Sequence, residues 1–130
     1  MNKNSVEKLI AEDVLKTSGF INIDRKDVEN LRKKSDLIDG IKLVGHSSDL
    51  SEMIENAISQ VEAEQSRPSK CALIVIKQST AGELDVEDIM SITEAFSGKS
   101  EDFDFVWGVS TDSNLSPGEI SLVVLLGFPQ

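Results

Sequence analysis

The apolar positions of this chain follow two periods, which change at turns rich in Gly, Pro and Ser. Val6, Leu9, Ile10 and Val14 recur at helical spacing, predicting a short amphipathic helix over about 5–16 that stops at Gly19. A second helix is predicted from Asp24 to about Lys34, with Val28 and Leu31 facing inward. Asp24 is placed as its N-cap and Asp27 at its third position, in the style of a capping box. Residues 38–45, containing Ile41, Leu43 and Val44, read as a first strand. Asp49 with Glu52 opens a third helix, on which Leu50, Met53, Ile54, Ala57, Ile58 and Val61 draw one wide apolar stripe. It ends in the polar stretch 64–70, where Pro68 blocks continuation.

In the second half, residues 71–76 form a nearly continuous apolar run, as expected of a central strand covered on both faces. Asp85 is predicted to cap a fourth helix turning Val86, Ile89, Met90, Thr93 and Phe96 inward, with Gly98 as its stop. Phe103, Phe105, Trp107 and Val109 alternate with other residues at the two-residue period of a strand, and so do Ile120, Leu122, Val124 and Leu126. A turn-rich connector with Pro117 joins those two strands. The pattern predicts an α/β (α+β) fold: a helix–loop–helix over 1–35, then a unit over 36–130. That unit is a mixed sheet of four strands with two main helices packed on it, the last two strands antiparallel.

Length and charge narrow the function. A chain of 130 residues holds one domain with a real core. A net charge of -10 argues against nucleic-acid or anionic-membrane partners, both of which reward Lys/Arg patches. No apolar run reaches the roughly 18 residues of a membrane-spanning helix, and the first ten residues lack a signal peptide's apolar core. A single cysteine, Cys71, excludes an internal disulfide and fits a reducing cytoplasm. It reads as a small core hydrophobe, His46 as a surface residue, Trp107 as core or sheet surface, and the 101–104 acids as a solvated edge without metal-ligand spacing.

The chemistry concentrates where the first helix gives way to the second. Gly19-Phe20-Ile21-Asn22-Ile23-Asp24-Arg25-Lys26-Asp27-Val28 places a carboxamide and two carboxylates in a short loop, a combination suited to a surface. Asp24 and Asp27 are also plain helix-start residues, an N-cap contributing about 1 kcal/mol, and the two readings are compatible.

This loop resembles the catalytic loop of FtsZ, the bacterial tubulin homologue of cell division, whose pattern is Gly-Leu-Ile-Asn-hydrophobic-Asp-x-x-Asp-Val. Further echoes of that family's C-terminal domain follow in order: Asn56-Ala57-Ile58, the strand 72–76, Leu84-Asp85-Val86-Glu87-Asp88, Phe105-Val106-Trp107-Gly108 and Leu126-Gly127-Phe128. The resemblance covers roughly 5–128, with the first helix matching the end of the family's long central helix. It implies that Asp24 and Asp27 position or polarise the water attacking a nucleotide held by a neighbouring subunit, while Asn22 holds the loop or contacts nucleotide and metal. The family's apolar-small pair between the aspartates is Arg25-Lys26 here; two cations there either neutralise the carboxylates or contact a phosphate.

The eight glycines are scattered, without the Gly-rich phosphate loop of that family's GTP-binding domain. The expectation is therefore no cofactor bound alone, GTP and Mg entering only through a partner subunit, and no GTPase activity in isolation. The family's C-terminal tail and anchor-recruiting peptide are expected to be missing too, which argues against direct membrane binding. Three readings stay open. The chain docks its loop on an FtsZ-type GTPase or homologous subunit, as a filament modulator or cap. Alternatively it is half of a split GTPase, with Val6, Leu9, Ile10 and Val14 as an exposed seam or homodimer contact and Arg25 and Lys26 at the interface. Or it is an unrelated small α/β binding domain.

Overall fold

The uninterrupted apolar runs 71–76 and 122–126 lie side by side at the centre of one four-stranded sheet. The computed structural model describes residues 3–10, 25–80, 84, 86–96 and 103–129. Their elements follow the predicted order: α1 (Lys3–Leu9), α2 (Arg25–Lys34), β1 (Leu37–His46), a 3-10 turn (Ser47–Asp49), α3 (Leu50–Gln65), β2 (Cys71–Gln78), α4 (Val86–Ala95), β3 (Asp104–Thr111) and β4 (Glu119–Phe128). The sheet order is β1-β4-β2-β3, with β2 and β3 parallel and β4 antiparallel to both of its neighbours, β1 and β2. The last two strands thus run in opposite directions, as expected, but they are not paired. Two parallel strands need a crossover, which α4 supplies, and β4 then returns to the middle of the sheet.

That placement corrects the alternating reading of β4. Ser121, Val123 and Leu125 are as buried as Ile120, Leu122, Val124 and Leu126, because both faces of the sheet are covered. On one face α3 and α4 bury Leu50, Ile54, Ile58, Ile92 and Phe96 against Ile74, Ile76, Leu122, Val124 and Phe128. On the other, Val6, Leu9 and Ile10 of the first helical segment and Val28 and Leu31 of α2 cover Leu73, Val75, Val123 and Leu125. The first helical segment and α2 therefore form the third layer of the fold. Val6, Leu9 and Ile10, at 4–8% exposure, belong to the chain's own core and are not an exposed seam. Val14 lies outside the described residues.

The helix ends show which local signals survive packing. Asp49 stands at the start of α3 but makes no side-chain capping bond. The cap acts one turn earlier, where the Ser48 N–H donates to exposed His46 Nδ1 at 3.1 Å and so starts the 3-10 turn. Ser66, with φ 56, stops α3 before Pro68 is reached. On α4 the inward phase is Ile92 and Phe96, whereas Met90 and Thr93 face solvent, correcting the stripe drawn from the sequence. Met90 is 56% exposed, so Met90→Glu is expected to change stability by less than about 0.5 kcal/mol, checked by urea melting. Asp85 and Gly98, the proposed ends of this helix, lie outside the described residues.

One buried carboxylate is built into β1. Asp39 is 1% exposed and accepts from the Gly40 N–H at 2.8 Å and from Gln65 Nε2 at 3.0 Å, fastening the C-terminal end of α3 to the strand. Asp39→Ala strands both donors, and we expect a loss of about 1–3 kcal/mol, read as a lower denaturant midpoint at unchanged m-value. An unchanged midpoint would show that the Gln65 bond carries no stability.

Candidate functional site

The start of α2 is where sequence chemistry and structure meet. Its ten residues turn Val28 and Leu31 onto the sheet, so Arg25, Lys26, Glu29, Arg32 and Lys33 project to solvent on the opposite side. Asp27 lies in the first helical turn, half-buried, where the unpaired N–H groups of a helix favour a negative charge. Asp24 and Asn22 lie outside the described residues, so among the three loop residues only Asp27 is placed. Arg25 and Lys26 precede it as exposed cations.

Asp27 stands on the rim of a groove of about 220 Å³ between α2 and the first residues of β2 and β3. Asn30 and Lys34 continue that rim along the helix, Asp104 faces them from β3, and Leu31, Cys71, Ala72 and Val106 line the rest. Lys34 forms an ion pair with Asp104 that ties the end of α2 to the edge strand. The Asp104 hydrogen bond raises the exposed Lys34 ammonium above its ordinary value of 10.5, against an opposing effect of desolvation. A raised value means that the pair's contribution is present at neutral pH and is lost only as the pH climbs through the alkaline range. Arg32 is held likewise by Glu7 of α1 at 2.8 Å, joining the two helices of this layer.

Beneath the groove the packing is close. Ser35 Oγ donates to the Leu31 carbonyl at 2.6 Å and lies 3.2 Å from the buried Cys71 Sγ. A Cβ on Gly127 would come within 2.5 Å of that sulfur and closer still to Ser35, which is why glycine stands there. The Cys71 thiol is thus a packed core group. A second, larger cleft of about 370 Å³ lies between α1, the end of α2 and the start of β1, with Glu7, Arg32, Asp36, Asp39 and Gln65 among its lining. Among the described residues no group of three His, Cys, Asp or Glu side chains is placed to hold a metal ion. No helix among them is long and apolar enough to cross a membrane.

Sequence reasoning reached Asp27, Arg25 and Lys26 but passed over Asn30, Lys34 and Asp104. The spacing 27, 30, 34 is one face of a helix and was available; its pairing with Asp104 depends on β3 lying beside β2, which no local pattern encodes. Asp39 had a detectable signal, since it shares the alternation of Ile41 and Leu43 and so belongs to the inward face.

No family profile and no curated protein matches the chain. Solved structures do. An FtsZ dimer from M. jannaschii superposes with a TM-score of 0.62 at 17% identity over 98% of this chain and 40% of that one. TubZ of Bacillus thuringiensis serovar israelensis, in GDP-form protofilaments, matches with a TM-score of 0.63 at 13% identity over 95% of this chain and 35% of that one. Its GTPγS-form protofilament gives 0.64 at 14% identity, over 95% and 34%. The chain spans between a third and two-fifths of the length of these structures. At such identities the likeness is one of fold: the domain has an α/β fold similar to part of FtsZ and of TubZ.

Proposed function

We propose that this domain docks on an FtsZ- or TubZ-type GTPase and presents the start of α2, with the loop before it, to that partner's nucleotide site. The observation that carries the reading is the placement of Asp27. It is a half-buried carboxylate in the first turn of a helix, on a domain whose fold matches structures of an FtsZ dimer and of TubZ protofilaments in GDP and GTPγS forms. In this role Asp27, with Asp24 and Asn22 upstream, accepts a hydrogen bond from the water beside the partner's terminal phosphate and orients it for attack. Arg25 and Lys26 face the phosphates as compensating cations. Nucleotide and Mg enter only through the partner, and the setting is the cytoplasm.

The chain would thereby act as a modulator or cap of a division-type filament. The seam proposed for the split-enzyme alternative is not available at Val6, Leu9 and Ile10, whose side chains are occupied within the chain's own core. The test is GTP turnover and sedimentation of a full-length FtsZ-type GTPase from the same cell, with and without this chain. Faster turnover, or loss of pelletable polymer at substoichiometric amounts, is expected. No change in either measurement would remove the filament as its partner.

A further inference from the structure

β1 is a long edge of the sheet. The order β1-β4-β2-β3 places no strand beyond it among the described residues, and its ten residues exceed the roughly five or six of an ordinary strand. Just past the β1–β4 ladder the Ser47 N–H donates to the Gly118 carbonyl at 2.8 Å, still in register. The odd-numbered residues of β1 therefore bond β4, and the even-numbered ones send their backbone groups outward. Ile38, Gly40, Lys42 and Val44 thus present a row of donors and acceptors, a template for another strand. Of the three large apolar side chains exposed among the described residues, Leu37 and Val44 lie on this strand. One residue opposes such pairing. Asp39 shares the α3-facing phase of β1 with Ile41 and Leu43 and is buried, where an apolar side chain would suit the core. Its Oδ2 is held by Gln65 Nε2, which clasps α3, but its Oδ1 takes the N–H of Gly40, one of the outward donors of the edge.

We infer that Asp39 guards the β1 edge, its carboxylate keeping that edge from pairing with a second copy of this chain. A second copy is the occupant that the sequence of β1 suits. Antiparallel self-pairing about a two-fold axis at Ile41 sets Ile38 beside Val44 of the other copy and Leu37 beside Gly45, each pair on one face. Lys42 then stands opposite Gly40, and no like charges are opposed. The contact is isologous and closes at two copies. That register needs the Gly40 N–H for the Lys42 carbonyl of the other copy, and in both copies Asp39 Oδ1 holds it. It also sets Leu43 opposite Asp39, so releasing the donor leaves a carboxylate facing a leucine. Moving the axis to Lys42 instead opposes two ammonium groups directly. An inward charge on an edge strand is one of the ways in which sheets avoid joining edge to edge. The guard acts on an edge that takes no part in the docking proposed for α2, and its test involves no GTPase.

Sedimentation equilibrium at high micromolar concentration tests it. The wild type is expected to run as one chain of 14.2 kDa. Asp39→Val fits the apolar phase and accepts no hydrogen bond. It is expected to approach twice that mass, its association constant at least about tenfold above the wild type's. Adding Val44→Pro removes an outward N–H without touching the β4 ladder, and is expected to return the monomer. Gln65→Ala is the control. It loosens α3 but leaves Asp39 on the Gly40 N–H, and is expected to melt earlier in urea while staying monomeric. Asp39→Ala, which also lacks the acceptor, serves with the same expectations should the valine variant misfold by far-UV circular dichroism. A folded Asp39 variant that stays monomeric overturns the proposal. So does a dimeric wild type, a Gln65→Ala variant that dimerises to the same extent, or a dimer that Val44→Pro leaves intact.

Discussion

Phe128→Ala is expected to destabilise the domain by about 3–5 kcal/mol, the cost of emptying a large, fully buried aromatic site. Phe128 ends β4 with 0% exposure and belongs to the cluster beneath α3. Its carbonyl accepts from the Asp36 N–H at 2.9 Å, so the junction between α2 and β1 is anchored at the same residue. The Arg67 guanidinium lies 5.8 Å from the ring centre, over the turn that ends α3. The ring is thus packed within the core cluster on one side and under Arg67 on the other, so an alanine leaves a cavity there. In a thermal melt the loss corresponds to a fall of roughly 10–20 °C for a domain of this size. Phe128→Leu, which keeps much of the volume, is expected to lose less than half as much. Equal melting of the alanine variant and the wild type would mean that the end of β4 is not packed as described.

Asp27→Ala is expected to leave the fold nearly intact and to abolish any stimulation of a partner GTPase. Stability should change by less than about 1 kcal/mol, since the residue is half-buried and lies outside the two core clusters. Turnover is where the substitution acts, because an alanine cannot accept a hydrogen bond from water. Loss of a water-orienting group typically costs on the order of 10²–10⁴-fold in rate. Docking contributed by Arg25 and Lys26 should persist, so the variant is expected to bind the filament yet fail to accelerate it. Stimulation that survives Asp27→Ala, with the partner still bound, would transfer the catalytic role to the loop before α2 or remove it altogether.

Element types and their order were legible in the residues themselves. The stripe on α3 and the run at 71–76 needed no neighbour to be recognised, since each repeats at its own period with enough buried side chains to decide the matter. The loop motif was read through a resemblance, and of its Asn22, Asp24 and Asp27 only Asp27 lies among the described residues. Errors arose where two readings were locally equivalent. On α4 the sequence contains apolar residues around most of the helix, and only contact with the sheet selects Ile92 over Met90.

What the sequence determined by itself is a mixed α/β domain with an acidic surface, a cationic α2 and a carboxylate at that helix's first turn. These follow from periodicity and composition, which are properties of neighbouring residues. Tertiary structure alone decided that β4 inserts between β1 and β2, that the first helical segment and α2 cover the sheet's second face, and that Lys34 meets Asp104 across the groove. Such facts depend on which segments become neighbours. Both faces of β4 must be buried somewhere, and only the packing of distant apolar runs against each other specifies where.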